Sequence, residues 1–161
     1  MTVLADLSLF GAGTLLMAYF FAKLEINIEG AGGWAANLPT WRVEKHWALD
    51  LFMGGRAMTG YHCWALLLVA AVFHYPFLFT ATWSLAGQAK AIAGLILFWV
   101  WEDFLWFVFN PAFGLRRFRP QHVPWHKRWV AGLPLEYWLG SALASVLLWW
   151  STKTSHASCF A

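Results

Sequence analysis

Two adjacent carboxylates, Glu102 and Asp103, interrupt a long apolar run near its C-terminal end. They lie seven or eight residues before Asn110, which places them roughly 10 Å inside a helix end at about 1.5 Å of rise per residue. A carboxylate at such depth in a membrane is costly unless it is paired, protonated or bound to a cation. The pair therefore predicts a functional site inside a membrane-spanning helix.

Histidines occur at a matching depth and beside the next basic segment. His62 lies six residues after Arg56, about 9 Å into another apolar run. His122 and His126 are four residues apart, so both can turn toward one point if the chain there is helical. Imidazole nitrogens and carboxylate oxygens are the ligands of zinc, non-haem iron and manganese. We therefore predict that His62, Glu102, His122 and His126 bind a divalent transition metal.

Further polar residues complete this hypothesis. Asp103 or Glu136 would act as the general base or as the partner of a metal-bound histidine. Arg116, Arg117 and Arg119 would hold an anionic headgroup. Together these residues predict a metal-dependent membrane enzyme that acts on a lipid or other lipophilic substrate, with hydrolysis and oxidation both open.

The same residues allow other classes of function. If Glu102 and Asp103 only form ion pairs with the arginines of the following loop, the chain is a non-catalytic accessory or assembly subunit that packs against partner subunits in a membrane complex. A small transporter of protons or ions is a third class, although the middles of the helices offer few polar residues to continue a path. Haem held by a pair such as His62 and His122 ranks below a transition metal as the cofactor.

The elements that must position these residues are membrane helices. Of the 161 residues, 60% are hydrophobic, 12% are charged and 13 are tryptophan, whereas about a quarter of the residues of soluble domains are charged. A spanning helix needs about 20 mostly apolar residues. Four windows meet that length, and they are roughly 5–24, 57–80, 88–109 and 133–151. We predict an all-α integral membrane bundle of four transmembrane helices, folded as a single domain over residues 1–161.

The connection between the first two windows predicts one more element. Residues 41–53 mix aromatic with charged side chains, which is typical of an amphipathic helix lying in the membrane interface. Within it, His46 and Asp50 are spaced i and i+4. The carboxylate could therefore orient the ring, or the two groups could form a solvated pair.

The basic residues are unevenly distributed and predict an orientation. Nine of the eleven Lys and Arg residues lie in or beside the first and third connections, and short cytoplasmic loops accumulate positive charge. We therefore expect a multi-pass protein with these loops in the cytoplasm and both termini outside. The net charge of +3 then has membrane lipids as its partner surface rather than nucleic acid.

Acids and imidazoles share this asymmetry. Seven of the eight acidic residues and four of the six histidines belong to the half predicted to be cytoplasmic, so any chemistry should be sought there. Cys63 and Cys159 are predicted nearer opposite faces of the membrane, which favours neither a disulfide nor a zinc site.

Overall fold

The computed structural model describes residues 2–52, 56–123 and 125–157. The helices are α1 (Val3–Glu29), α2 (Trp47–Phe52), α3 (Gly60–Thr80), α4 (Leu85–Phe109), α5 (Gly114–Arg117) and α6 (Leu135–Ala157). Two antiparallel ribbons lie in the connections: β1 (Arg42–Val43) pairs with β2 (Met58–Thr59), and β3 (Trp129–Val130) pairs with β4 (Leu133–Pro134). The chain is mostly helical, as the sequence predicted.

Three of these helices, α1, α3 and α4, are long and apolar enough to cross a membrane within the described part of the chain. Many of their large apolar side chains face outward; in α3, for example, Leu78 is 80% exposed and Phe79 is 78% exposed. Such a surface suits lipid rather than water. The three helices indicate a multi-pass membrane protein. The fourth predicted span, 133–151, falls mostly within α6, and its crossing of the membrane stays a prediction.

Capping side chains mark where the long helices begin. The hydroxyl of Thr2 accepts from Ala5 N at the start of α1, and Ser84 does the same for Gly87 N in α4. At the start of α3, Thr59 accepts from His62 N. Each cap satisfies an N–H group that has no partner within its own helix. The cap at Thr59 also ties His62 to the first turn of α3.

Helix α4 lies at the centre of the bundle, in contact with α1, α3 and α6. Small residues allow this close approach. Ala18 of α1 and Ala93 of α4 are fully buried, and a Cβ atom on Gly94 would lie 2.5 Å from the ring of Phe73. As a result, the polar residues of α4 face the interior of the bundle.

The two ends of the bundle differ in chemistry. At one end Lys90 Nζ lies 2.6 Å from Asp6 Oδ2, which joins the first turns of α1 and α4. At the other end Asn110 Nδ2 donates to Gly30 O at 3.1 Å, which joins the ends of the same helices. α1 and α4 are therefore parallel. We call this second end, where α1 and α4 finish and the long connections lie, the loop end.

The segment predicted as an interfacial helix, 41–53, is different in the structure. Arg42 and Val43 form β1, and in the described part of the segment the helix runs from Trp47 to Phe52. The backbone of this segment pairs instead with the start of α3: Gly60 N donates to Trp41 O at 2.9 Å, and Tyr61 N donates to Thr40 Oγ1 at 3.2 Å. The structure therefore does not confirm an amphipathic interfacial helix over the whole segment. His46 is exposed, and the side chain of Asp50 lies outside the described residues.

Candidate functional site

A cavity of about 370 Å³ opens among α1, α3, α4, α6 and the connections at the loop end. Its walls combine many ionisable side chains with aromatic rings. The ionisable groups are Glu25, Glu29, Arg56, His62, Glu102, Asp103, His126 and Glu136, and the aromatic ones are Trp34, Trp99, Trp106, Phe107, Trp125 and Tyr137. The cavity thus collects residues that are far apart in the sequence.

Asp103 organises one wall of the cavity. Its Oδ2 atom accepts a hydrogen bond from His126 Nε2 at 3.0 Å and another from the hydroxyl of Tyr137. Because Nε2 donates to the carboxylate, the neutral imidazole keeps its lone pair on Nδ1. His126 is held in place a second time, because Trp129 Nε1 donates to its backbone carbonyl at 2.9 Å. The carboxylate thus fixes both the tautomer and the orientation of the His126 ring.

The other nitrogen of His126 has no hydrogen-bond partner among the described residues. This Nδ1 atom is buried, and Glu136 Oε2 lies 3.9 Å away, beyond hydrogen-bonding distance. Glu136 itself is half exposed, with 53% of its side chain accessible. The arrangement leaves an oriented imidazole in the lining of the cavity, with one ring nitrogen that no described residue hydrogen-bonds.

Glu102 is the most deeply placed acid of the site, with 3% of its surface exposed. It faces the carboxyl group of Glu25 within hydrogen-bonding reach. Tyr61 in α3 donates its hydroxyl proton to Glu25 Oε1 at 3.2 Å. The Oε1 atom of Glu102, by contrast, is buried without a hydrogen-bond partner in the described chain. Two carboxyl groups in contact inside a bundle need a proton or a cation between them.

Glu29 and His62 hold the wall formed by the end of α1 and the start of α3. Glu29 Oε1 accepts from Ala35 N at 2.6 Å and lies 3.4 Å from His62 Nε2. The second ring nitrogen of His62 contacts Thr59 Oγ1 at 2.7 Å. Both nitrogens of His62 therefore face protein partners, which hold the imidazole in the wall.

The loop after α1 has an unusual backbone. Gly33, Trp34 and Ala35 all have positive φ angles, of 60°, 48° and 51°, and two of the three are not glycine. Such a run costs backbone strain and persists only when side chains hold it. Glu29 binds the Ala35 amide, and the guanidinium of Arg42 donates to the Ala35 carbonyl. The two contacts keep Trp34 over the cavity.

The indole ring of Trp34 packs against two basic side chains, those of His62 and Arg56. The ring of His62 stacks on it with centroids 4.0 Å apart, and Arg56 Cζ lies 4.1 Å from its ring. Burial lowers the pKa of the Arg56 guanidinium, and the negative charges of Asp103 and Glu136 act in the opposite direction. An arginine remains charged under such shifts, so Arg56 is a fixed cation of the site.

Three buried polar atoms of the cavity residues lack hydrogen-bond partners in the described structure. They are Glu102 Oε1, Trp106 Nε1 and His126 Nδ1. Each belongs to a residue that is no more than 6% exposed. Buried polar groups are nearly always hydrogen-bonded, so three such atoms on one cavity indicate a polar group that enters it.

The structure brings together five of the residues singled out from the sequence. His62, Glu102, Asp103, His126 and Glu136 all line the cavity. The roles that the sequence analysis assigned to these residues stay predictions.

Four other predicted site residues lie elsewhere. His122 is exposed, because the turn after Arg119 buries Val123 instead. Arg116, Arg117 and Arg119 are exposed and do not line the cavity. In the described ranges, they form no ion pair with Glu102 or Asp103.

A metal site of the predicted composition is not preformed. Across residues 2–52, 56–123 and 125–157, no three His, Cys, Asp or Glu side chains are placed to hold one metal ion. Metal binding by His62, Glu102, His122 and His126 therefore stays a prediction.

Sequence reasoning did not select several residues of the site. The sequence analysis selected neither Glu25 nor Glu29, yet their i, i+4 spacing places them on one face of α1. That spacing was a usable signal. Trp34, Tyr61 and Tyr137 had no comparable signal, because aromatic residues near membrane edges are common.

No protein-family model, curated protein or solved structure matches this chain.

Proposed function

We propose that this chain is an integral membrane enzyme that acts on a lipophilic substrate by general acid–base catalysis at His126. The observation that carries the proposal is the pair of Asp103 and His126: His126 lines the cavity, and its buried Nδ1 atom has no hydrogen-bond partner among the described residues. A carboxylate that fixes the tautomer of a histidine is a recurrent device for presenting a base. His126 would accept a proton and return it later in the reaction.

The walls of the cavity support a lipophilic substrate. Leu66, Trp99 and Val100 line it together with the ionisable groups, so it has an apolar side and a polar side. Its volume of about 370 Å³ suits a small ligand or the polar end of a larger one.

The residues that line the cavity also indicate which kind of nucleophile would react. Among the described lining residues there is no serine, threonine or cysteine. A covalent intermediate on a serine or threonine hydroxyl or on a thiol is therefore not part of the proposal. Water, or a group of the substrate itself, would react after losing a proton to His126.

The test compares two histidines that receive the same substitution. Purified protein is incubated with a total membrane lipid extract, and the lipids are followed by mass spectrometry. We expect His126→Gln to slow the change of the affected lipid by about 10²- to 10⁴-fold, the usual contribution of a general base. His122→Gln is the matched control and should leave the rate unchanged, because His122 is exposed and outside the cavity. An unaltered lipid profile with the wild type, or full activity of a folded His126→Gln protein, would refute the proposal.

A divalent transition metal is a second candidate for the chemistry. Histidines that bind metals usually donate their other ring N–H to a carboxylate, as His126 does to Asp103. Glu136, 3.9 Å from the free nitrogen, would be the nearest further ligand. Elemental analysis of protein purified without chelator decides between the two. Stoichiometric zinc, iron or manganese that His126→Gln loses would favour the metal, and metal-free active protein would exclude it.

We further propose that α6 is a fourth membrane-spanning helix and that the loop end faces the cytoplasm. The 23 residues of α6 give about 35 Å of helix, enough to cross a hydrocarbon core of about 30 Å. The excess of Lys and Arg at the loop end supports this orientation. The test uses sealed vesicles of known orientation and a protein without Cys63 and Cys159. In right-side-out vesicles, a membrane-impermeant maleimide added outside should label Thr82→Cys and Lys153→Cys and leave Lys127→Cys unlabelled. Labelling of Lys127→Cys alone would show the opposite orientation, and an unlabelled Lys153→Cys beside a labelled Thr82→Cys would show that α6 does not cross the membrane.

A further inference from the structure

The cavity is lined by more carboxyl groups than permanently charged basic side chains. Five carboxyl groups line it, those of Glu25, Glu29, Glu102, Asp103 and Glu136. Among the described lining residues, Arg56 is the single arginine or lysine, and His62 and His126 supply the two imidazoles. Acids in a poorly hydrated interior need protons or cations nearby. The balance of charge in this cavity favours a positively charged guest.

The aromatic walls favour the same kind of guest. Four tryptophans, Trp34, Trp99, Trp106 and Trp125, line the cavity with Tyr137. The faces of aromatic rings attract cations, and tryptophan does so most strongly. The contact of Arg56 with Trp34 at 4.1 Å is one such interaction already present. A cavity with both carboxylates and indole faces is well suited to an ammonium group.

The unpartnered atoms specify what else the guest must carry. Glu102 Oε1 is buried and, as a carboxylate oxygen, requires a donor. Trp106 Nε1 is a donor only, so it requires an acceptor. A primary ammonium group supplies the N–H donors, and a neighbouring oxygen supplies the acceptor. A quaternary ammonium has no N–H to offer Glu102.

We propose that the cavity binds the head of a lipophilic primary amine that carries an adjacent hydroxyl oxygen, with the ammonium at Glu102 and the oxygen at Trp106. The inference rests on the proposed function, because it names the substrate class of that same site. It differs from the anionic headgroup expected from Arg116, Arg117 and Arg119, which lie outside the cavity lining. The hydrocarbon chain of the amine would leave toward the apolar side of the cavity.

The experiment measures binding of defined amphiphiles to the full-length protein in nanodiscs of zwitterionic lipid. The probes are 2-amino-1-dodecanol, dodecylamine, dodecyltrimethylammonium, 1-dodecanol and dodecyl phosphate, and empty nanodiscs are subtracted. We expect saturable quenching of tryptophan fluorescence in the order amino alcohol, primary amine, quaternary ammonium, with the uncharged and anionic probes weakest. Equal or tighter binding of dodecanol or dodecyl phosphate would overturn the proposal.

Two substitutions assign the contacts. Glu102→Gln should weaken both primary amines by about tenfold to a hundredfold, the usual loss for a hydrogen bond to a charged group. Trp106→Phe should weaken the amino alcohol more than dodecylamine, because the lost N–H donor serves only the hydroxyl oxygen, whereas the smaller ring affects both amines alike. Glu44→Gln is the matched control, because Glu44 is exposed and does not line the cavity. Unchanged amine affinity in a folded Glu102→Gln protein would contradict the assignment.

The lipid-turnover assay separates this inference from the proposed function. If turnover depends on His126 but amines do not bind, the substrate class is wrong and the enzyme proposal stands. If amines bind as expected but no lipid is altered, the ligand class stands and the enzyme proposal is wrong.

Discussion

Removal of one hydroxyl group at the centre of the site should have a measurable effect on stability. Tyr137 is 7% exposed, and its hydroxyl donates to Asp103 Oδ2. Tyr137→Phe keeps the ring, which stacks on Phe118, and removes only this donor. A hydrogen bond to a charged group contributes about 1.5–3 kcal/mol. We therefore expect Tyr137→Phe to lower the free energy of unfolding by that amount.

Part of this cost is offset, because Asp103 keeps its hydrogen bond from His126 at 3.0 Å. The Asp103 side chain is also 30% exposed, so water can replace part of the lost contact. We therefore expect the loss of unfolding free energy to lie near the lower end of the range of about 1.5–3 kcal/mol. For a chain of this size, about 1.5 kcal/mol corresponds to a drop in Tm of roughly 3–6 °C.

The assay is reversible unfolding in mixed micelles, with circular dichroism recorded at increasing mole fractions of dodecyl sulfate. The control is Tyr75→Phe, which makes the same chemical change at an exposed position of α3; Tyr75 is 56% exposed. Surface substitutions of this kind usually change stability by less than about 0.5 kcal/mol. If the two variants unfold alike, the hydroxyl of Tyr137 does not stabilise the fold through Asp103, and the proposed wall of the cavity is wrong.

Three further substitutions test the packing that positions the site, each by the same unfolding assay. Gly94→Val should destabilise the bundle by about 1–3 kcal/mol through overpacking, because its Cβ would meet Phe73 at 2.5 Å; unaltered stability would mean that these helices are less closely packed. Asn110→Ala should cost about 1–3 kcal/mol, since Asn110 is 2% exposed and donates to Gly30 O. A neutral result there would remove that link between α1 and α4. Lys90→Gln should cost no more than about 1 kcal/mol, because the ion pair of Lys90 is partly exposed, and a larger loss would show that this pair is shielded from solvent.

The apolar windows of the sequence were sufficient to locate the long helices. α1, α3 and α4 correspond to the predicted runs 5–24, 57–80 and 88–109, although α1 continues to Glu29. The signal is strong because a span needs about 20 consecutive apolar residues and must satisfy its own backbone hydrogen bonds. The same reasoning made Glu102 and Asp103 visible as anomalies, since a carboxylate inside such a run requires an explanation.

Depth along a helix could also be calculated from the sequence alone. A constant rise per residue predicted that His62 and Glu102 lie at similar distances from one end, and both line the same cavity. The i, i+4 spacing of Glu25 and Glu29 contained the same kind of information. These positions follow from local geometry, which depends only on residues close in the sequence.

Only the tertiary structure decided which loop residues join the site. His122 and His126 look equivalent in the sequence, yet the turn after Arg119 exposes the first, and Asp103 holds the second. Trp34 covers the cavity because Glu29 and residues beyond the loop hold a strained backbone. The positions of these loop residues depend on contacts between segments that are far apart in the sequence. Alternative loop conformations differ only slightly in free energy, and local sequence patterns do not determine which of them is adopted.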